Sequence, residues 1–261
     1  MHSAWRVAGT SVVGPRHAAS GESCQDRHRV HVTTSGALIA AVSDGAGSAA
    51  RGGEGAALLC EAVVDRLDWF LLLHARGDVT RAMLAGVCRT VRDAVAQARK
   101  RAEERAQDYG TSIAAFHATL VGAVMVPGKG GLFFHIGDGA ALALADDGDR
   151  WVLSAPRNGE YADTTYFFTQ PDWRRHLRFA RIGPDYDTIF VMSDGVTDLA
   201  LQNGAEPRPF LPFFEPIGRF LAKSSREEGE QALSATLDSQ AVRARTDDDK
   251  TLVWAQAAAP R

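Results

Sequence analysis

Apolar residues in this chain fall into two rhythms, short unbroken runs and stripes at helical spacing. Residues 4–13 and 28–34 read as strands framing a polar loop at 14–27, and 37–43 is an apolar strand. The glycines at 45, 47, 52, 53 and 55 then make a flexible turn. From Glu54 to His74 the spacing of Leu58, Leu59, Val63, Leu67 and Phe70 predicts a helix. Thr80 to Gln107 reads as a second, with Met83, Val87, Val91 and Val95 recurring every four residues and a solvated charge run at its far end. Strands are expected again at 111–126, 131–137, 139–145, 150–153, 165–168, 177–182 and 187–193, with hairpin turns at Pro127–Gly131 and Asp146–Asp149. Helices at 212–223 and 225–239 and a strand at 251–255 complete the pattern, the stretch Pro207 to Pro216 serving as a connector into the first of these helices. Many strands and two pairs of helices without strict βαβ alternation predict one α+β domain spanning 1–261.

What ends the apolar runs changes the picture. Ser43-Asp44-Gly45 follows one run, Ser193-Asp194-Gly195 another, and Gly137-Asp138-Gly139 a third. A carboxylate at the end of a buried strand is held rigidly while the glycine beside it keeps the chain open. Three such carboxylates, if they converge, form an all-oxygen site for a hard divalent cation. Aspartate also serves as a turn or cap residue, so a single Asp-Gly has a purely structural alternative. The shared apolar context of all three favours the metal site. Asp26 lies just before the strand at 28–34, and Asp247-Asp248-Asp249 just before the last strand. Asp198 follows Asp194 by four residues, one helical turn. On the residues alone, this constellation points to Mg²⁺ or Mn²⁺ and to metal-dependent hydrolysis.

Composition narrows the class. The 261 residues are 45% apolar, ample for a core, and the net charge of −3 gives no polyanion-binding signature, so no nucleic-acid partner is expected. No apolar run approaches the ~18 residues of a membrane span, and Met1 to Thr10 has no signal-like apolar region. Three cysteines, Cys24, Cys60 and Cys88, lack metal-type spacing and fit reduced thiols in a cytoplasmic protein.

The motifs together resemble the metal-dependent protein phosphatases of type 2C. They appear in family order: Cys24-Gln25-Asp26, Ser43-Asp44-Gly45-Ala46-Gly47, Gly137-Asp138-Gly139, Ser193-Asp194-Gly195-Val196-Thr197-Asp198 and Asp248-Asp249-Lys250-Thr251. The resemblance runs from about Gly9 to Ala255 and is nearest a bacterial branch with Gln-Asp in the first motif and the segment Asn158-Gly159-Glu160-Tyr161. It implies a four-layer αββα sandwich, two mainly antiparallel sheets flanked by helix pairs, with the metal site at one end. By that resemblance Asp44 bridges two ions with help from the Gly45 carbonyl, Asp194 and Asp248 complete the first ion's shell, and Asp26 serves the second. Asp138 and Asp198, with Asp194, match a third metal site, so Mn²⁺ or Mg²⁺ is expected in two or three copies. The implied reaction is hydrolysis of phosphoserine and phosphothreonine in proteins by activated water, without a phospho-enzyme intermediate and with Asp44, Asp194 and Asp248 as its catalytic core.

The chain departs from the family's better-known members at three places. Gln25 stands where many carry Glu, and Ala46 where animal members carry a proposed acid histidine, leaving a water or another histidine to protonate the leaving group. The usual phosphate-binding arginine position falls at Gly21, and Arg16 or His17 is expected to substitute. Residues 157–181 correspond to the flap beside the active site, where arginines and aromatics either recognise a phosphopeptide or pack the flap down. Phosphorylated proteins and a cognate serine/threonine kinase are the implied partners, with no membrane. The alternatives are a pseudophosphatase that regulates a kinase, and a phosphoesterase for small metabolites.

Overall fold

The computed structural model describes residues 5–74, 81–146, 148–157, 165–202, 204 and 206–258. In chain order the elements are β1 (Trp5–Val12), α1 (Pro15–Ser20), β2 (Arg27–Val32), β3 (Leu38–Ser43), α2 (Gly52–His74), α3 (Arg81–Asp108), β4 (Leu120–Val126), β5 (Gly130–Ile136), β6 (Ala140–Ala145) and β7 (Trp151–Ser154). They continue with α4 (Trp173–His176), β8 (Arg178–Ile182), β9 (Tyr186–Met192), α5 (Asp194–Ala200), β10 (Leu201–Gln202), β11 (Arg208–Pro209), α6 (Leu211–Leu221), α7 (Arg226–Leu237), α8 (Gln240–Arg243) and β12 (Lys250–Ala257).

Two five-stranded sheets carry the fold, in the orders β1-β12-β9-β6-β7 and β2-β3-β4-β5-β8, with every neighbouring pair antiparallel. Their inner strands are apolar on both faces because each face meets a hydrophobic layer. Along β3, Leu38, Ala40 and Val42 turn toward the other sheet and pack with Ala141, Val191 and Val253. The intervening Ile39 and Ala41 turn outward onto Leu59, Val63, Val91 and Val95 of α2 and α3. On the opposite side, Leu142, Phe190 and Trp254 meet Phe214 and Leu221 of α6 and Leu233 of α7. The expected four-layer αββα sandwich is therefore the architecture, with cores between helices and sheet, sheet and sheet, and sheet and helices.

Several local expectations give way. The polar loop at 14–27 contains α1, whose start is set by Pro15 at the first helical position and whose end is set by left-handed Gly21. Residues Ile113–Phe116 form a 3₁₀ turn before β4 rather than the beginning of a strand. No strand spans 165–168; these aromatics cover the helix-facing core, with Phe168 fully buried in it. The short helices α4, α5 and α8 lack the length over which apolar periodicity becomes readable.

Candidate active site

Antiparallel pairing collects the motif aspartates at one end of the sandwich. The start of β2 faces the end of β3 (Arg27 opposite Ser43), the end of β5 faces the start of β4 (Ile136 opposite Leu120), and the end of β9 faces the start of β12 (Met192 opposite Leu252). Asp26, Asp44, Asp138, Asp194 and Asp248 follow or precede those same ends. Asp44, Asp138 and Asp194 come closest, each offering a carboxylate oxygen so that all three atoms lie within 4.8 Å of one another.

Each is fixed by its own surroundings. The Asp44 backbone is clamped by Thr119, whose hydroxyl accepts from the Asp44 N–H at 3.1 Å and whose N–H donates to the Asp44 carbonyl at 2.9 Å. Asp138 follows Gly137, whose φ of +106° is open to glycine alone, and Thr165 donates to its Oδ2. Asp194 opens α5 and accepts from the Gly195 N–H at 2.7 Å. Asp26 is wholly buried and accepts from the Ser193 hydroxyl at 2.7 Å.

Electrostatically these groups conflict. Burial, then the Asp194, Asp26, Asp138 and Asp248 charges, pushes the Asp44 carboxyl well above its ordinary value. Asp194 is pushed up by burial, then by Asp138 and Asp248, and burial raises Asp138 as well. Burial raises Asp26 to about 6. One oxygen each of Asp26 and Asp138, both Oδ1, is buried without a hydrogen-bond partner. Repelling carboxylates with orphaned buried oxygens are the donor set a hard divalent cation satisfies, so the residues present fit such ions.

Asp248 stands at the rim, one-third exposed, within the electrostatic reach of this cluster, and pairs with the Arg16 guanidinium at 3.2 Å. Asp198 is exposed on α5, one turn beyond Asp194, and is not among the three converging carboxylates, whereas Asp138 is. Arg16 is half-exposed over the site's mouth, close against Gly47. His17 is buried instead, with Nδ1 3.0 Å from Asp249, so it does not face the opening. Each described histidine is bonded away from Asp44, Asp138 and Asp194. The Gly45 backbone pairs with Ala118 in an isolated antiparallel bridge. A cleft of about 510 Å³ lies beside this motif, bordered by Cys24, Gln25, Arg27, Arg51 and the glycines at 47, 52 and 53.

The flap aromatics pack downward. Trp173 is buried, Phe167 stacks on His117 at 4.7 Å, and Tyr166 stacks on His176 at 3.6 Å. Arg178 donates to His135 at 2.9 Å and to the Ala155 carbonyl, while Arg174 and Arg175 remain exposed. Asn158 to Tyr161 lies outside the described residues. Sequence reasoning missed Thr119 and Thr165, and it named Asp249 and Lys250 only as members of a motif, with no role for either. Lys250 is fully buried and donates to the Asp248 carbonyl at 3.1 Å. The charge run Asp247-Asp248-Asp249-Lys250 before a strand, within the motif Asp248-Asp249-Lys250-Thr251, was the signal for these two.

Comparison with known proteins agrees with this geometry. Serine/threonine-protein phosphatase 3 of Escherichia coli (strain K12) is 32% identical over 263 residues, covering 97% of this chain and 99% of that protein. The fold is shared with serine/threonine phosphatase Stp1 from Staphylococcus aureus (TM-score 0.64, 14% identity, 99% of this chain and 98% of that one). It is shared too with PppA of Pseudomonas aeruginosa, described as a key regulatory component of T6SS (TM-score 0.58, 16% identity, 98% and 99%). Residues 13–238 match the family model described as Protein phosphatase 2C. With that match spanning most of its length and the aspartates converging as they do, the chain belongs to the protein phosphatase 2C family.

Proposed function

We propose that this chain is a protein serine/threonine phosphatase that hydrolyses phosphoserine and phosphothreonine using Mn²⁺ or Mg²⁺. The observation that carries the reading is the convergence of Asp44, Asp138 and Asp194 within 4.8 Å, supported by the orphaned buried oxygens of Asp26 and Asp138. Asp44, Asp194 and Asp248, with Asp26 and the Gly45 carbonyl, are assigned to two ions, and Asp138 with Asp194 and Asp198 to a third. Bound there, the ions supply an activated water and neutralise charge on the phosphoryl oxygens. The chain's own groups do the rest. Arg16, at the mouth, binds a phosphoryl oxygen through its guanidinium fork. Ser193 holds Asp26 in place.

Water is taken as the acceptor, as the family resemblance implies, and the state of the serine and cysteine groups beside the site supports that reading. The Ser43 hydroxyl donates to the Thr119 carbonyl and the Ser193 hydroxyl to Asp26. Burial pushes the Cys24 thiol far above its usual range, which suppresses the thiolate. Phosphorylated proteins are the substrates, with a serine/threonine kinase as the opposing enzyme. The test is release of phosphate from a phosphoserine peptide with Mn²⁺, Mg²⁺ or excess EDTA. Turnover with either metal and none in EDTA is expected. Calorimetric Mn²⁺ binding without turnover would leave a binding module, and full activity in EDTA would remove the metal-dependent reading.

A further inference from the structure

Asp249 is buried and accepts three hydrogen bonds, although nothing in the chemistry proposed above uses it. It is 1% exposed. Its Oδ1 accepts from the Gly14 N–H at 2.6 Å, and its Oδ2 from the Gln25 N–H at 2.5 Å and from His17 Nδ1–H at 3.0 Å. Its donors come from three places in one segment: the β1–α1 turn, α1, and the residue before Asp26.

The same two stretches touch elsewhere. The Arg16 N–H donates to the Asp247 carbonyl at 3.1 Å, and a Cβ at Gly14 would sit 2.3 Å from the Asp248 carbonyl carbon. The stretch 14–26 carries Arg16 and Asp26, and the stretch 247–250 carries Asp248. Arg16 stands on a six-residue helix that is too short to hold itself, so it depends on such bonds to the stretch before β12, and Asp249 supplies three of them.

We infer that Asp249 is a positioning residue: it clasps the Gly14–Gln25 segment to the start of β12 and so keeps the Arg16 guanidinium beside Asp248, where substrate phosphate binds. This rests on the phosphatase reading for the role of Arg16, but the clasp itself does not. Loss of a charge-assisted acceptor frees α1 while the two sheets stay paired.

Two measurements test it. In amide hydrogen exchange without metal, Asp249→Asn loses protection at Gly14 and Gln25 while β12 amides keep theirs; unchanged exchange at both amides overturns the clasp. In phosphopeptide kinetics, Asp249→Asn and Arg16→Ala each raise KM roughly tenfold with a smaller effect on kcat, because misplaced binding groups lose substrate affinity first. The double variant is expected to be no worse than the more damaged single variant. Multiplying effects overturn the route through Arg16. His17→Asn, which places an amide N–H where Nδ1–H stands, retains both KM and protection, whereas His17→Leu loses part of each. Should Asp249→Asn not fold, the His17 pair decides the matter by the same readings. If the unaltered protein shows no metal-dependent turnover, the phosphatase reading fails, and the exchange result alone decides the clasp.

Discussion

At the scale of single residues, the site is a balance between repulsion and ligation. Asp44 is squeezed by Asp194, Asp26, Asp138 and Asp248 after the cost of its own burial. Replacing it with Asn removes a repelling charge and, under the proposed reading, a charged metal ligand. Under the proposed reading, Asp44→Asn lowers turnover by about 10²-fold or more, yet the variant melts above the parent protein in EDTA. A variant less stable than its parent without metal would mean that the carboxylate supports the fold by some other contact. Asp138 and Asp198 separate on geometry. Asp138 converges with Asp44 and Asp194, while Asp198 stays exposed. Calorimetric Mn²⁺ titration is therefore expected to show a larger loss of binding in Asp138→Ala than in Asp198→Ala, with Asp198 the weaker contributor to the third ion, and equal losses would make the two aspartates equal ligands.

At the scale of elements, local signals and long-range ones part company. Helix α7 is locally encoded: Ser225 caps it by accepting from the Glu228 N–H, and the Glu228 carboxylate accepts in return from the Ser225 N–H. Ser225→Ala should cost about 1 kcal/mol in urea unfolding with no change in Mn²⁺ affinity, because α7 packs chiefly on β1 and α6. An altered affinity would show that this cap reaches the site. The strands were legible for a similar reason. β3 and β9 are apolar runs ended by Ser-Asp-Gly, so both the strand and its terminal carboxylate show in the string of residues. α1 was not legible, because nothing apolar marks it and its anchor, Asp249, lies 232 residues from His17. The Tyr166-Phe167-Phe168 run imitated a strand, but its rings are spent on His176, His117 and the helix-facing core. Asp44, Asp138 and Asp194 could be named from pattern. The resemblance pointed to Asp248 rather than Asp249, and what the fold adds is where Asp249 goes, buried among the Gly14, His17 and Gln25 donors.

At the scale of the whole molecule, the acidic end of the sandwich couples stability to pH and to cations. Asp44, Asp138, Asp194 and Asp26 all have raised folded-state values, Asp26 to about 6. The metal-free folded protein thus holds protons that the unfolded chain releases near pH ~4. Its stability from these groups is full below that pH and is lost as pH rises through about 6 and beyond. Asp249 acts with the opposite sign, but its value is lowered, so its contribution falls away only on the acid side of that window. Under the proposed reading, cations bind the same carboxylates once they are deprotonated and stabilise the fold in proportion to that binding. Mn²⁺ should therefore raise the melting temperature little at about pH 5 and considerably at about pH 7.5, while the metal-free protein melts lower at the higher pH. Scanning calorimetry with Mn²⁺ or EDTA at the two pH values measures both slopes. An Mn²⁺ shift that is equal at both would detach the ions from these four carboxylates, and a metal-free protein more stable at the higher pH would mean that the repulsion among them is already relieved by the fold itself.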